Sequence, residues 1–352
     1  MKQLLIFLFI ISIGSLAACS SSNSSKELNL YAWSEYIPQA LLDGFTEKTG
    51  ITVNYDTYSS NEELLAKLQA GASGYDLIIP SDYMVQIMSS QGMLEEIDLS
   101  KITNFGNIDN QLKDSDYDPG NKFSVPYQWG TVGMAINRDA VTSPVTKWAD
   151  LWNPEFQGRV VVLDDEREVL GMTLLTLGYD KNSTDEAQLE EAKERLLELM
   201  PNIKLFDSDS PKTALLSGEV DLGLVWNGEG ALAHQENPSI DYLCPEEGCG
   251  LWVDSMSIPK DAPHMDAALA FINYVLRPEA SLLITKEFPY STPNLAALAL
   301  LKTQDPAAYD AYMNFAATNP SAADIQNSHT IKDIGAATVL WDRIWTEVKG
   351  GQ

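Results

Sequence analysis

Apolar residues recur along this chain with two periods, and the two periods alternate. Leu28 to Trp33 is a strand-like run. From Pro38 to Lys48, Leu41, Leu42 and Phe45 fall on one helical face, and Gly50 supplies a stop. Ile51 to Tyr55 alternates as a second strand. Asn61 to Ala70 puts Leu64, Leu65 and Leu68 on one helical face ahead of Gly71, and Tyr75 to Ile79 is a short strand closed by Pro80. This rhythm predicts a largely parallel sheet covered by helices. It restarts past the middle of the chain. Val160 to Leu163 reads as a buried strand, and Asp185 to Met200 as an amphipathic helix with Leu189, Ala192, Leu196 and Leu199 inward. Val220 to Trp226 is a further strand, and Pro263 to Leu276 a helix that Pro278 ends. The expected fold class is therefore α/β with two lobes. Ligands of open parallel sheets bind beyond the carboxyl ends of the strands, so the residues just after each strand are the place to look.

The first residues break this pattern and set the compartment. Met1-Lys2 is followed by an apolar run from Leu4 to Ile13, too short for a permanent membrane span and suited to a signal-peptide core. The run leads to Leu16-Ala17-Ala18-Cys19, which resembles the lipobox of bacterial lipoproteins. The expectation is a signal peptide over 1–18, acylation of Cys19, and a flexible Ser-rich tether over 19–26. Localisation would then be the periplasmic space or the outer face of the envelope, with membrane contact through the lipid alone. Fifty acidic against 23 basic residues give a net charge of −27. That surface repels nucleic acid and anionic lipid and attracts small cations, although acidity also serves solubility. Of the three cysteines, Cys244 and Cys249 sit close together. In an oxidising compartment they point to a loop-closing disulfide. A zinc site would find only His234 and His264 as further soft ligands nearby.

Catalytic signatures are scarce. There is no phosphate-binding Gly-rich loop, no His-Glu-x-x-His, no Gly-x-Ser-x-Gly and no Cys-x-x-Cys. The predicted strand ends carry aromatic and acidic residues instead: Trp33-Ser34-Glu35-Tyr36, Ser81-Asp82-Tyr83, Asp164 to Glu168, Trp226-Asn227-Gly228, and Trp252-Val253-Asp254-Ser255 after the cysteine loop. This mixture suits a polyamine. Each ammonium needs a carboxylate or hydroxyl in place of water. Indole and phenol rings pack on the methylenes and attract the charge, at roughly 0.5–2 kcal/mol per contact. Taken singly, each position is more readily a core ring or a solvated turn. The residues alone leave a cationic-ligand site and a polar rim equally open.

The ordered stretches Ala32-Trp-Ser-Glu-Tyr-Ile-Pro38, Tyr75-Asp-Leu-Ile-Ile-Pro80, Val125-Pro-Tyr-Gln-Trp-Gly130, Trp148-Ala-Asp-Leu-Trp152, Val225-Trp-Asn-Gly228 and Ser291-Thr-Pro-Asn-Leu295 resemble the bacterial spermidine/putrescine-binding proteins of ABC uptake systems. The resemblance runs from about Leu28 to the C-terminus. It implies the type II periplasmic-binding-protein fold, a monomer whose two α/β lobes close over the ligand, no cofactor, no metal and no catalysis. The lobes would comprise 27–130 with 256–300, and 134–252 with 301–352. The implied contacts are Trp33, Ser34, Glu35, Tyr36, Ser81, Tyr83, Asp165, Glu168, Ser208, Trp226, Trp252, Asp254 and Tyr290. The partner would be the transmembrane subunits of an ABC permease, or alternatively a transmembrane signalling protein. Four carboxylates, Glu35, Asp165, Glu168 and Asp254, would favour a triamine such as spermidine over putrescine, with norspermidine as another candidate. One departure stands at Ile331, where the family's spermidine binders carry a glutamine, with Lys332 beside it. A remoter alternative is a hydrolase using Asp165 and Glu168 as acid and base.

Overall fold

The computed structural model describes residues 26–71 and 74–350. The expected signal peptide, Cys19 and most of the tether lie outside those residues. Among the described residues ten strands form one sheet: β1 (Glu27–Trp33), β2 (Thr52–Tyr58), β3 (Leu77–Ile78), β4 (Ser124–Asn137), β5 (Val160–Val162), β6 (Ile203–Phe206), β7 (Leu222–Trp226), β8 (Ile240–Leu243), β9 (Gly250–Ser257) and β10 (His329–Thr330). Their order is β2-β1-β3-β9-β4-β7-β5-β6, with β10 beside β9 and β8 beside β4.

Two parallel groups are thus joined by two long strands. β2, β1 and β3 run together, as do β6, β5 and β7. β9 is antiparallel to both β3 and β4, and β4 is antiparallel to β7. Following these pairings along the sheet, the first group runs opposite to the second, so their carboxyl ends point at each other.

Covering helices explain the apolar runs. β1 is buried on both faces: Leu28, Leu30 and Ala32 pack with Leu41, Leu42 and Phe45 of helix Gln39–Thr49, while Tyr31 joins Tyr58, Ile78 and Met84 on the other side. A strand covered on both faces loses its polar alternation. Helix Glu186–Leu199 buries Leu189, Ala192, Leu196 and Leu199, and Asp185 caps it by accepting from the amides of Ala187 and Gln188. Pro278 lies three residues beyond the end of helix Met265–Val275 and also opens the next one, Pro278–Glu287, in the first turn, where an N–H has no intrahelical acceptor to lose.

Leu301 and Ala297 of helix Leu295–Gln304 pack on Leu282, and helix Pro306–Asn314 packs on them through Tyr309. Phe315 to Ala317 then join Ala135, Val161 and Ala214. The final helix, Thr338–Gly350, then buries Trp341, Ile344 and Val348 against the second group. Among the described residues no single helix is long and apolar enough to cross a membrane.

Candidate functional site: a cleft between opposed strand ends

The facing carboxyl ends enclose a cleft of about 750 Å³, part of it open to solvent. Every contact residue expected from the sequence lines it. Trp33 closes β1, and Ser34, Glu35 and Tyr36 follow it. Glu35 holds a left-handed backbone, φ 47°, which is uncommon for a residue with a side chain and occurs here in the cleft itself. Ser81 immediately precedes helix Asp82–Ser90, which carries Tyr83 in its first turn. Asp165 caps helix Glu166–Thr176 by accepting from the amides of Arg167 and Glu168. Ser208 follows β6 and Trp226 ends β7. Tyr290 lies between helices, its ring against Gly228, where a Cβ would come within 2.5 Å of the ring. Trp252 and Asp254 depart from the expectation: they sit inside β9, not at a strand end. Their side chains reach the cleft because β9 passes between the two strand groups.

The structure adds Ser59, Asn61, Asp82, Asp209, Glu229, Leu251 and Ile331 to the lining. Asp82, Asp209 and Glu229 each stand within three residues of a position already singled out, so the signal was adjacency to a strand end. Ile331 does face the cleft, next to the Tyr83 cluster. Lys332 is exposed and is not among the lining residues, so it does not oppose a cation there.

Asp254 is buried in the cleft and is held by two hydroxyl donors. The Tyr36 hydroxyl donates to its Oδ2 at 2.7 Å and the Ser81 hydroxyl to its Oδ1 at 2.6 Å. Asn61 in turn donates to the Ser81 oxygen at 3.1 Å. Around Asp254 runs a series of rings meeting edge to face: Tyr36 and Tyr290 (centroids 5.6 Å apart), Tyr290 and Trp252 (5.5 Å), Trp252 and Trp226 (6.4 Å). The Trp226 indole N–H donates to the Ser208 carbonyl at 3.0 Å, which fixes its plane.

Burial pushes the Asp254 carboxyl up to about 7, against the pull of its two hydroxyl donors. Asp82 is likewise pushed to about 7 by burial, with the charge of Asp254 adding to it. Asp165 reaches about 7 through burial and the neighbouring Glu168. These are carboxylates short of positive charge. Two others are not. Glu168 is held by Lys181 at 2.6 Å, with side chains 3% and 2% exposed. Gly250 makes room for that pair, since a Cβ there would stand 2.7 Å from Glu168 Oε2. Glu35 is paired with Lys212 at 2.9 Å, across the cleft. The four-carboxylate count drawn from the sequence is therefore corrected. Two of the four already carry an internal ammonium. A saturated, buried Glu168 also leaves no free acid-base pair with Asp165.

A family model described as bacterial extracellular solute-binding protein matches residues 40–319. The spermidine/putrescine-binding periplasmic protein of Escherichia coli K12 is 41% identical over 344 residues, covering 97% of this chain and 96% of the relative. The chain belongs to the bacterial extracellular solute-binding proteins. Among solved members, the spermidine/putrescine ABC transporter substrate-binding protein PotD of Streptococcus pneumoniae superposes with a TM-score of 0.77 at 37% identity, covering 92% of this chain and 98% of that one. The PotD lipoprotein of Treponema pallidum gives 0.79 at 33% identity, covering 92% and 99%. The fold of this solute-binding protein is accordingly α/β of the type II periplasmic-binding-protein class, and its relatives bind substrates for transporters and are not enzymes. Cys244 and Cys249 are disulfide-bonded in the turn that leads into β9. Among the described residues no group of three or more His, Cys, Asp or Glu is placed to hold a metal ion.

Proposed function

We propose that this solute-binding protein captures a polyamine outside the cytoplasm and delivers it to the transmembrane subunits of an ABC permease. The observation that carries this reading is the group of buried carboxylates, Asp254, Asp82 and Asp165, in a cleft walled by Trp226, Trp252, Tyr36 and Tyr290. Burying uncompensated acidic groups is unfavourable, and a ligand that brings ammonium groups relieves it. Its methylenes would lie on the rings. The spermidine/putrescine-binding relatives agree with this ligand class.

Putrescine, spermidine and norspermidine are all candidates. The expected preference for a triamine rested on four free carboxylates, and the pairing of Glu35 and Glu168 with lysines removes that ground. The protein acts as a monomer that closes when ligand touches both strand groups at once. The crossings near Gln128 to Gly133 and Trp252 to Ser257 serve as hinges between a lobe built on β1–β3 and one built on β5–β7. Ser34 Oγ, donating to Asp209 at 2.8 Å, is one contact that closure makes between them. Cys19 carries the lipid that holds the receptor at the membrane.

Titration calorimetry with putrescine, spermidine and norspermidine tests the ligand class, and all three are expected to compete for one site. Failure of every one of them to bind sinks the polyamine reading. Release of the protein to the soluble fraction on Cys19→Ser tests the anchor.

A further inference from the structure

Lys212 opens a short helix, Lys212–Leu216, on the β5–β7 side of the cleft. Its ammonium donates to Glu35 Oε2 at 2.9 Å, to both oxygens of Glu229 at 3.0 Å, and to Ser210 Oγ at 3.1 Å. Its three protons therefore all find acceptors. Glu35 comes from the opposite side, after β1. The side chains of Lys212, Glu229 and Glu35 are 15%, 4% and 53% exposed. Both glutamates line the cleft while Lys212 does not; it reaches them from behind the wall.

A lysine ammonium is chemically the same group that a polyamine presents at its ends. Tethered to the protein, it occupies its carboxylates at a far higher effective concentration than any free ligand reaches. A ligand ammonium arriving at Glu35 and Glu229 would have to displace it and leave it buried without a partner. At the other end Lys181 holds Glu168 in the same way. Within the ligand-free cleft, Asp254 and Asp165 are then the expected carboxylates without a lysine partner.

We infer that Lys212 is a selectivity-determining residue: by occupying Glu35 and Glu229 it leaves a diamine as well matched as a triamine, and its removal turns the cleft toward triamines. The inference rests on the polyamine reading above. It makes Lys212 a positioning residue that acts through Glu35 and Glu229. Replacing it with methionine keeps most of the side-chain volume and opens an ammonium-sized space beside two carboxylates. Glu229, already pushed to about 7 by burial, can hold a proton until a cation arrives.

The test is calorimetry with putrescine and spermidine on four proteins: wild type, Lys212→Met, Lys212→Arg, and the double variant Lys212→Met with Glu229→Gln. The ratio of putrescine Kd to spermidine Kd is expected to rise by about tenfold or more in Lys212→Met, the size of one added close charge pair. It stays near the wild-type value in Lys212→Arg and falls back toward it in the double variant, where only the half-exposed Glu35 is left to reward a third ammonium. Should Lys212→Met fail to fold, Lys212→Gln carries the same expectation. A ratio in Lys212→Met within about twofold of wild type overturns the inference while leaving polyamine binding intact. A wild-type protein that binds neither amine overturns the polyamine reading itself.

Discussion

Replacing Asp254 by asparagine keeps the shape and removes one charge; one of its two acceptor oxygens becomes an NH2 donor, so either Tyr36 or Ser81 must turn its hydroxyl to accept. In the ligand-free protein that charge is a burden. The carboxyl is buried and pushed up to about 7, far above the value near 3.9 of an unfolded chain. The sign follows from proton counting. Between about pH 4 and 7 the folded state holds the proton more tightly than the unfolded state. The contribution of Asp254 to stability is therefore greatest at low pH and declines as pH rises through that window. At pH 8 the ligand-free Asp254→Asn protein should unfold no earlier than wild type. Binding should behave in the opposite way. Losing one partner of a buried charge pair costs about 2–5 kcal/mol, or roughly 30-fold to several-thousand-fold in Kd. Because only the ionised carboxylate attracts an ammonium, wild-type affinity should increase with pH through about 7 and level off near pH 8. At pH 6 roughly nine molecules in ten hold the Asp254 proton, so this group alone weakens binding by about tenfold relative to pH 8. The measurement is calorimetry at pH 6, 7 and 8 in two buffers of different ionisation enthalpy. Wild type should release protons on binding near pH 7, and the variant should release about half a proton fewer. Binding by Asp254→Asn within about threefold of wild type at pH 8 would refute the assignment of a ligand ammonium to this carboxylate.

Three further outcomes follow from the same geometry. Lys181→Met leaves Glu168 buried without its cation and should cost about 3–5 kcal/mol in urea unfolding, whereas adding Glu168→Gln should restore most of it; equal stability of the single and double variants would count against a coupled pair. Trp252→Ala removes a ring of the wall and should weaken ligand binding by about tenfold or more, measured by calorimetry, while Trp148→Phe, at a buried ring that does not line the cleft, should leave affinity unchanged. Replacing both Cys244 and Cys249 by alanine opens a short loop and should lower stability by about 2 kcal/mol, with ligand affinity retained because neither sulfur lines the cleft.

Much of this architecture was legible because it is written locally. The apolar face of helix Glu186–Leu199 lies in one heptad-length pattern, and Asp185 caps it from the adjacent position. The strand ends of β1, β3, β5 and β7 could be read for the same reason, and with them most of the cleft lining. Glu229 and Asp209 were missed although they follow Trp226 and Ser208 closely, since nothing in a linear pattern says which way a side chain turns. Trp252 and Asp254 were placed at a strand end because the cysteine loop before them looks like a boundary. Only the pairing of β9 with both β3 and β4 puts them at mid-strand. That helix Leu295–Gln304 packs on Leu282 was not legible in the sequence, because it depends on which apolar face Ala297 and Leu301 meet.

The sequence by itself determined the elements, the acidic and aromatic character of the strand ends, and through its ordered stretches the family. What it did not determine is how much of that acidity is free. Glu168 meets a lysine 13 residues away, and Glu35 one 177 residues away. Helical and strand periodicity arise from bonds between near neighbours, so they survive in the linear order. Charge compensation depends on distance and desolvation in space, so only the tertiary structure decided which carboxylates wait for a ligand and which already hold an ammonium of their own.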